Sequence, residues 1–192
     1  MANLFEPFSV GKMDLPSRLV MAPLTRSRAG AGMVPQDLNV EYYRQRASAA
    51  LIITEGTQPS AVGQGYLTTP GIHSPEQVEG WRKVADAVHA EGGRVVVQLM
   101  HVGRVSHPDN NGGLEAVAPS ALAAPGEMFT VGGMKPHPVP RALETGELAG
   151  IVGEFVSAAR NAIEAGLDGV ELHAANGYLL HQFISPASNQ RT

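Results

Sequence analysis

Residues 168–183 read DGVELHAANGYLLHQF. An aliphatic run of strand character opens the stretch, and His173, Asn176 and Tyr178 follow within six residues. A strand closing on a histidine, an amide and a phenol has the form of a buried sheet strand that delivers side chains to a site at its carboxyl end. RLVMAP (18–23), ALIITEG (50–56) and RVVVQL (94–99) repeat the aliphatic part. With GVELHA (169–174) they are the near-continuous apolar runs of a parallel sheet covered on both faces.

Helical patterns separate these runs. In SPEQVEGWRKVADAVHAEGG (74–93), Ser74 stands as N-cap, Pro75 in the first turn and Gln77 in capping-box position, with Gly92 and Gly93 at the end. In GELAGIVGEFVSAARNAIEAG (146–166), Ile151, Phe155, Ala159 and Ile163 lie about one turn apart, which predicts one apolar face ending at Gly166. NVEYYRQRAS (39–48) supplies a shorter helix between the first two strands. The order β-α-β-α-β-α-β predicts an α/β fold with right-handed crossovers. Residues 1–17 predict a hairpin ahead of the first strand, 18–101 carry strands one to three, and 147–192 carry the third long helix, strand four and its turn. Residues 102–146, dense in Pro and Gly, predict a long excursion of the functional kind.

The totals narrow the function. The chain has 192 residues, 43% of them hydrophobic, enough for one sizeable core. A formal charge of −4 without a basic cluster argues against nucleic acid as partner. With no cysteine there is no disulfide, thiolate metal site or cysteine nucleophile, and a reducing compartment suits the composition. The opening MANLFEPFSV lacks a signal-peptide pattern and no apolar stretch reaches membrane length, so a soluble cytoplasmic protein is expected.

Polar residues cluster where the runs end: Thr25 and Arg26, then Glu55, Gly56 and Thr57, then Gln98, His101 and Arg104, then His173, Asn176 and Tyr178. Parallel strands bring all of these to one edge, the edge where α/β folds bind ligands. Individually, Thr25 or Glu55 reads as a cap or turn residue, His101 as a structural histidine and Glu171 as a paired carboxylate inside a barrel. The pattern contains no nucleophile elbow, no metal-binding His spacing and no Gly-rich phosphate loop after the first strand. What remains is a set of uncharged donors suited to negative charge developing on oxygen, beside a tyrosine able to give a proton. Such a site calls for an organic cofactor to supply the difficult chemistry.

The stretches NLFEPFSVGKMDLPSRLVMAPLTRSRA, YYRQRASAALIITEGT, PGIHSPEQVEGWRKVADAVHAEGGRVVVQLMHVGRVSHP, PRALET and FVSAARNAIEAGLDGVELHAANGYLLHQFISPASNQRT resemble the old yellow enzyme family of FMN-dependent ene-reductases, especially its N-ethylmaleimide and xenobiotic reductase branch. The resemblance implies the N-terminal half of a (β/α)8 TIM barrel, strands one to four. It also implies FMN at the carboxyl end of the strands, reduced by NADPH or NADH, and substrates that are α,β-unsaturated carbonyl or nitro compounds. By the same resemblance, Thr25 bonds the flavin O4 edge, Pro23, Leu24 and Gly56 line the ring, and Gln98 bonds its pyrimidine edge. His173 and Asn176 grip the substrate oxygen, Tyr178 protonates the α-carbon, and Met100 and Tyr66 belong to the substrate pocket.

Two positions depart from the family pattern. Met100 replaces a tryptophan, which predicts a wider pocket, and Ala174 replaces a glycine, which is strained if that position needs positive φ. A four-stranded half barrel has two unpaired parallel edges. The expectation is a split protein: a complementary C-terminal half-barrel chain, or a second copy of this one, completes it. The alternative is a non-catalytic half-barrel that does not retain FMN. A related flavin barrel carrying an iron–sulfur domain is disfavoured by the missing cysteines.

Overall fold

The computed structural model describes residues 3–192. A hairpin, β1 (Phe8–Val10) with β2 (Met13–Leu15), precedes the sheet, as the sequence predicts; residues 1 and 2 of that segment lie outside the described residues. Strand β3 (Val20–Met21), helix α1 (Asp37–Arg44), strand β4 (Leu51–Thr57), helix α2 (Pro75–Ala90) and strand β5 (Val95–Leu99) follow. Two small pairings occupy residues 102–146: β6 (Val117–Ala118) beside β9 (Arg141–Ala142), and the hairpin of β7 (Glu127–Thr130) with β8 (Gly133–Pro136). Helix α3 (Leu148–Glu164), strand β10 (Gly169–Leu172) and helix α4 (Leu179–Ile184) complete the chain.

The main sheet runs β10-β5-β4-β3, and every pairing in it is parallel. The four aliphatic runs are therefore its strands, in the predicted order. The first is shorter than its apolar stretch: β3 covers only two residues, because Pro23 has no N–H for the ladder and an edge strand tolerates the early stop.

Alternation along β5 sorts its two faces. Val95, Val97 and Leu99 are fully buried and pack with Trp81, Val84 and Val88 of α2 and with Ala158 and Ala162 of α3. Gln98 belongs to the opposite face. Trp81 satisfies its indole N–H on the Gly71 carbonyl at 3.0 Å, so this large side chain enters the core without an orphan donor.

Helix α2 starts as its sequence requires. Ser74 Oγ accepts from the Gln77 N–H at 3.3 Å, and Gln77 Oε1 accepts the Ser74 N–H at 3.1 Å. Gln77 also donates to Gly32 O at 3.0 Å, tying the cap to the loop before α1. Replacing Ser74 by Ala is expected to cost about 1 kcal/mol of unfolding free energy, read by urea denaturation.

Helix α3 corrects one expectation. Ile151, Phe155 and Ala159 are half-buried, and Ile163 does not share their face; it is 61% exposed. Each four-residue step overshoots a 3.6-residue turn by about 40°, so three steps carry Ile163 about 120° round the helix. Small residues, Ala158 and Ala162, form the contact with the sheet instead. Val152, Val156, Val170 and Leu172 are also exposed, so apolar surface on α3 and on β10 is left uncovered at one margin of the sheet.

Candidate active site

Where the sheet's strands end, a cavity of about 550 Å3 opens, lined by Pro23 and Thr25 after β3, Gly56 of β4, Gln98 and Met100 of β5, and residues 171–176 and Tyr178 around β10. Three features of the sheet aim these residues. Glu171 and Gln98 are direct partners in the β10–β5 register, so both project to the same face, and Gln98 Nε2 donates to Glu171 Oε1 at 2.7 Å. The ladder continues past β10 through the bond from His173 N–H to Leu99 O, which holds His173 on that same face. In β4 the register slips between Ile53 and Gly56, an extra residue that re-aims the strand as it reaches the cavity.

Gly56 is where the cavity wall needs a glycine. A Cβ there would run into Met100 Cε and lie 2.7 Å from its sulfur. Gly56→Ala is therefore expected to push the Met100 side chain into the cavity and to cost about 1–3 kcal/mol. Combining it with Met100→Ala should recover much of that loss in a thermal melt.

The turn after His173 is built with care. Asn176 has φ 54° and Gly177 φ 81°, two successive left-handed residues that an Asn-Gly pair tolerates. Ala174 has no positive φ, so the replacement of glycine there carries no strain. Gln182 of α4, fully buried, clamps the turn: its Nε2 donates to Gly177 O at 2.7 Å and to Val102 O at 2.9 Å. His181 Nδ1 accepts the Gly177 N–H at 2.8 Å. Neither clamp is legible in the sequence, where the only signal is two polar residues on an otherwise apolar helix.

The electrostatics favour neutral donors. His173 Nδ1 accepts the Ala175 N–H at 3.3 Å, so the imidazole proton resides on Nε2. Burial lowers the His173 pKa below the usual imidazole range, against a smaller opposing pull from Glu171, so the ring is neutral at pH 7. The Tyr178 hydroxyl shares a hydrogen bond of 2.8 Å with Tyr66, and its ring meets His173 edge-on at 4.8 Å. Burial, then the Tyr66 bond, raises its pKa well above that of a free phenol.

Other residues at the strand ends stand away from the cavity. Leu24, 52% exposed, lines a separate depression with Leu19, Val20 and Met21. His101 is fully buried in a structural role: its Nδ1 accepts the Gly103 N–H, and burial lowers its pKa to about 4. Arg104 bonds the carbonyls of Leu122 and Ala123, and Arg26 lies over the Tyr42 ring. Glu55 is buried on the helix side of β4.

Residues 3–192 match the family described as NADH:flavin oxidoreductase / NADH oxidase. The chain belongs to that family. A probable flavin mononucleotide-dependent alkene reductase of Leishmania infantum is 46% identical, over 98% of this chain and 53% of that protein. A chanoclavine-I aldehyde reductase of Penicillium roqueforti is 44% identical, over 100% and 51%. Among solved structures, an old yellow enzyme homologue from Zymomonas mobilis superposes with TM-score 0.96 at 46% identity. Morphinone reductase in complex with tetrahydroNAD superposes with TM-score 0.94 at 48% identity. Each alignment takes in 99–100% of this chain but only 53–55% of the neighbour. The chain thus spans about half the length of the relatives it matches, and its four-stranded sheet is the N-terminal half of their TIM barrel.

Enzymes of this NADH:flavin oxidoreductase family use FMN with NAD(P)H, and the residues present fit the flavin ring. Thr25 and Gln98 offer uncharged hydrogen-bonding groups on the cavity wall, and Pro23, Gly56 and Met100 offer a surface on which a flat ring can lie. None of the lining residues is a lysine or arginine, so a phosphate finds no cationic partner within this cavity. No helix among the described residues is long and apolar enough to cross a membrane.

Proposed function

We propose that this chain carries the substrate-gripping half of an FMN-dependent ene-reductase. NADPH or NADH is the reductant, and the activated C=C bond of an α,β-unsaturated carbonyl or nitro compound is reduced. The carrying observation is that Thr25, Gly56, Gln98, His173, Asn176 and Tyr178, drawn from four strand ends, line one cavity. The alkene reductase and the old yellow enzyme homologue among its relatives support the same chemistry.

FMN bound there supplies two-electron transfer between nicotinamide and alkene. The chain's own residues do the rest. Thr25 and Gln98 hold the ring edge, and Pro23 and Gly56 lie along it, while Leu24, which faces the separate depression, takes no part. Neutral His173, donating from Nε2, and the Asn176 amide hold the carbonyl or nitro oxygen and stabilise the negative charge that develops on it. Tyr178, kept protonated by its surroundings, gives its proton to the α-carbon. Met100 and Tyr66 bound the substrate space, the thioether leaving it wider than an indole would.

The uncovered apolar surface of α3 and β10, together with the cation-free cavity, supports a C-terminal half-barrel as the partner that completes the sheet and anchors the phosphate. A cytoplasmic setting suits the cysteine-free chain. A second reading rests on that same cation-free lining: a half-barrel that folds but does not retain FMN. Purification decides between them. A yellow complex that consumes NAD(P)H on addition of a maleimide or cyclohexenone supports the enzyme; colourless protein of intact fold supports the second reading.

A further inference from the structure

Residues 22–30, which carry Thr25 to the cavity, form no regular secondary structure, and Ser27 within them holds a positive φ of 50°. The far end of this segment is tied by the Ala29 N–H to Thr68 O at 2.9 Å, and beside Thr25 the anchor is a carboxylate. Glu55 is fully buried. Its Oε2 accepts the Arg26 N–H at 2.9 Å. Its Oε1 accepts Tyr43 Oη–H and Asn39 Nδ2–H, each at 3.3 Å. The Tyr43 hydroxyl in turn accepts the Glu55 N–H at 2.9 Å. A carboxylate is costly to bury, and here neutral donors from two segments, the Thr25 loop and α1, offset part of that cost.

The residues next to each end of this grip are Thr25, beside Arg26, and Gly56, beside Glu55, and both line the cavity. Glu55 could simply staple α1 to β4. That role needs Tyr43 and Asn39 but gives no reason for a backbone N–H group of the Thr25 loop, 29 residues away, to meet the same carboxylate.

We propose that Glu55 is a positioning residue: by gripping the Arg26 N–H it sets where the Thr25 hydroxyl stands against the flavin, and through Thr25 it sets the reduction potential of the bound cofactor. This rests on the assignment of Thr25 to the flavin edge. Hydrogen bonds to the flavin oxygen favour the reduced, electron-rich ring, so displacing the hydroxyl lowers the potential.

The test is the midpoint potential of the FMN-loaded protein, by dye equilibration, for Thr25→Ala, Glu55→Gln and the pair together. Thr25→Ala is expected to lower it, Glu55→Gln to lower it by at least half as much, and the double variant to match Thr25→Ala alone. If Thr25→Ala shifts the potential and a folded Glu55→Gln does not, the positioning role fails while the flavin-edge assignment stands. Additive shifts would mean that Glu55 acts through its charge across space, which also overturns the role. If Thr25→Ala has no effect, the flavin-edge assignment fails and the role falls with it.

Should Glu55→Gln not fold, Glu55→Asp keeps the charge, shortens the reach by one methylene, and is expected to lower the potential likewise; an unchanged potential counts against the proposal. Amide exchange in the unsubstituted protein gives an independent check. The Arg26 N–H should be protected, and its exchange at the rate of a free loop would show that the grip does not exist.

Discussion

Tyr178→Phe is expected to slow transfer to the alkene by about 10²–10⁴-fold while leaving reduction of the flavin by NAD(P)H unchanged. Placement and acidity both assign the proton to this side chain. Tyr178 lines the cavity beside His173, and the turn that carries it is locked by Gln182 and His181. Its pKa is raised by burial and then by the Tyr66 bond, so the phenol stays protonated well above neutral pH. Because the protonated form is the one that acts, the rate of alkene reduction should be flat through the neutral range and fall only in alkali. A phenol this weak in acidity releases its proton only to a strongly basic centre, such as an α-carbon that has just gained electron density. Anaerobic stopped-flow separates the two half-reactions. Equal slowing of both in Tyr178→Phe would mean that the side chain holds the fold of the site and not the proton.

Removing the oxygen grip should act earlier, at binding. A phenol offers the site an oxygen of the same kind and, stacked on oxidised flavin, gives a charge-transfer band; each hydrogen bond to its anionic oxygen contributes about 1.5–3 kcal/mol, so the double variant should lose detectable phenol binding and that band. The choice of substitution matters. Asn176 sits at φ 54°, where alanine brings backbone strain of about 1 kcal/mol, whereas glycine removes the amide and leaves the turn relaxed. His173→Ala with Asn176→Gly is therefore the clean pair. The pH dependence has a definite sign: His173 has a lowered pKa, so the neutral donor persists through neutral pH and gives way to imidazolium only in acid. Undiminished phenol binding in this double variant, titrated spectroscopically, would remove His173 and Asn176 from the assigned role.

Local chemistry made much of the fold legible. Aliphatic runs gave the four strands, Ser74 and Gln77 gave the start of α2, and Gly166, at φ 85°, gave the end of α3. The convergence of Thr25, Gln98, His173, Asn176 and Tyr178 followed from one rule, that parallel strands end together. What escaped depended on partners far along the chain or on backbone detail. Glu55 reads as a turn residue until Arg26, Asn39 and Tyr43 are seen around it. Gln182 has no visible purpose without Val102, eighty residues away. Ile163 misleads because a four-residue spacing is close to a helical turn without being one. The strands of residues 102–146 run two to four residues each, too short for any alternation to declare itself.

The most direct measurement is a single anaerobic mixing experiment on the FMN-loaded protein with its barrel complete. The flavin is first reduced by NADPH or NADH and then mixed with one equivalent of cyclohexenone. The yellow oxidised spectrum is expected to return, with an equal amount of saturated cyclohexanone formed. A flavin that stays reduced until oxygen is admitted, with the enone recovered intact, would contradict the proposed function.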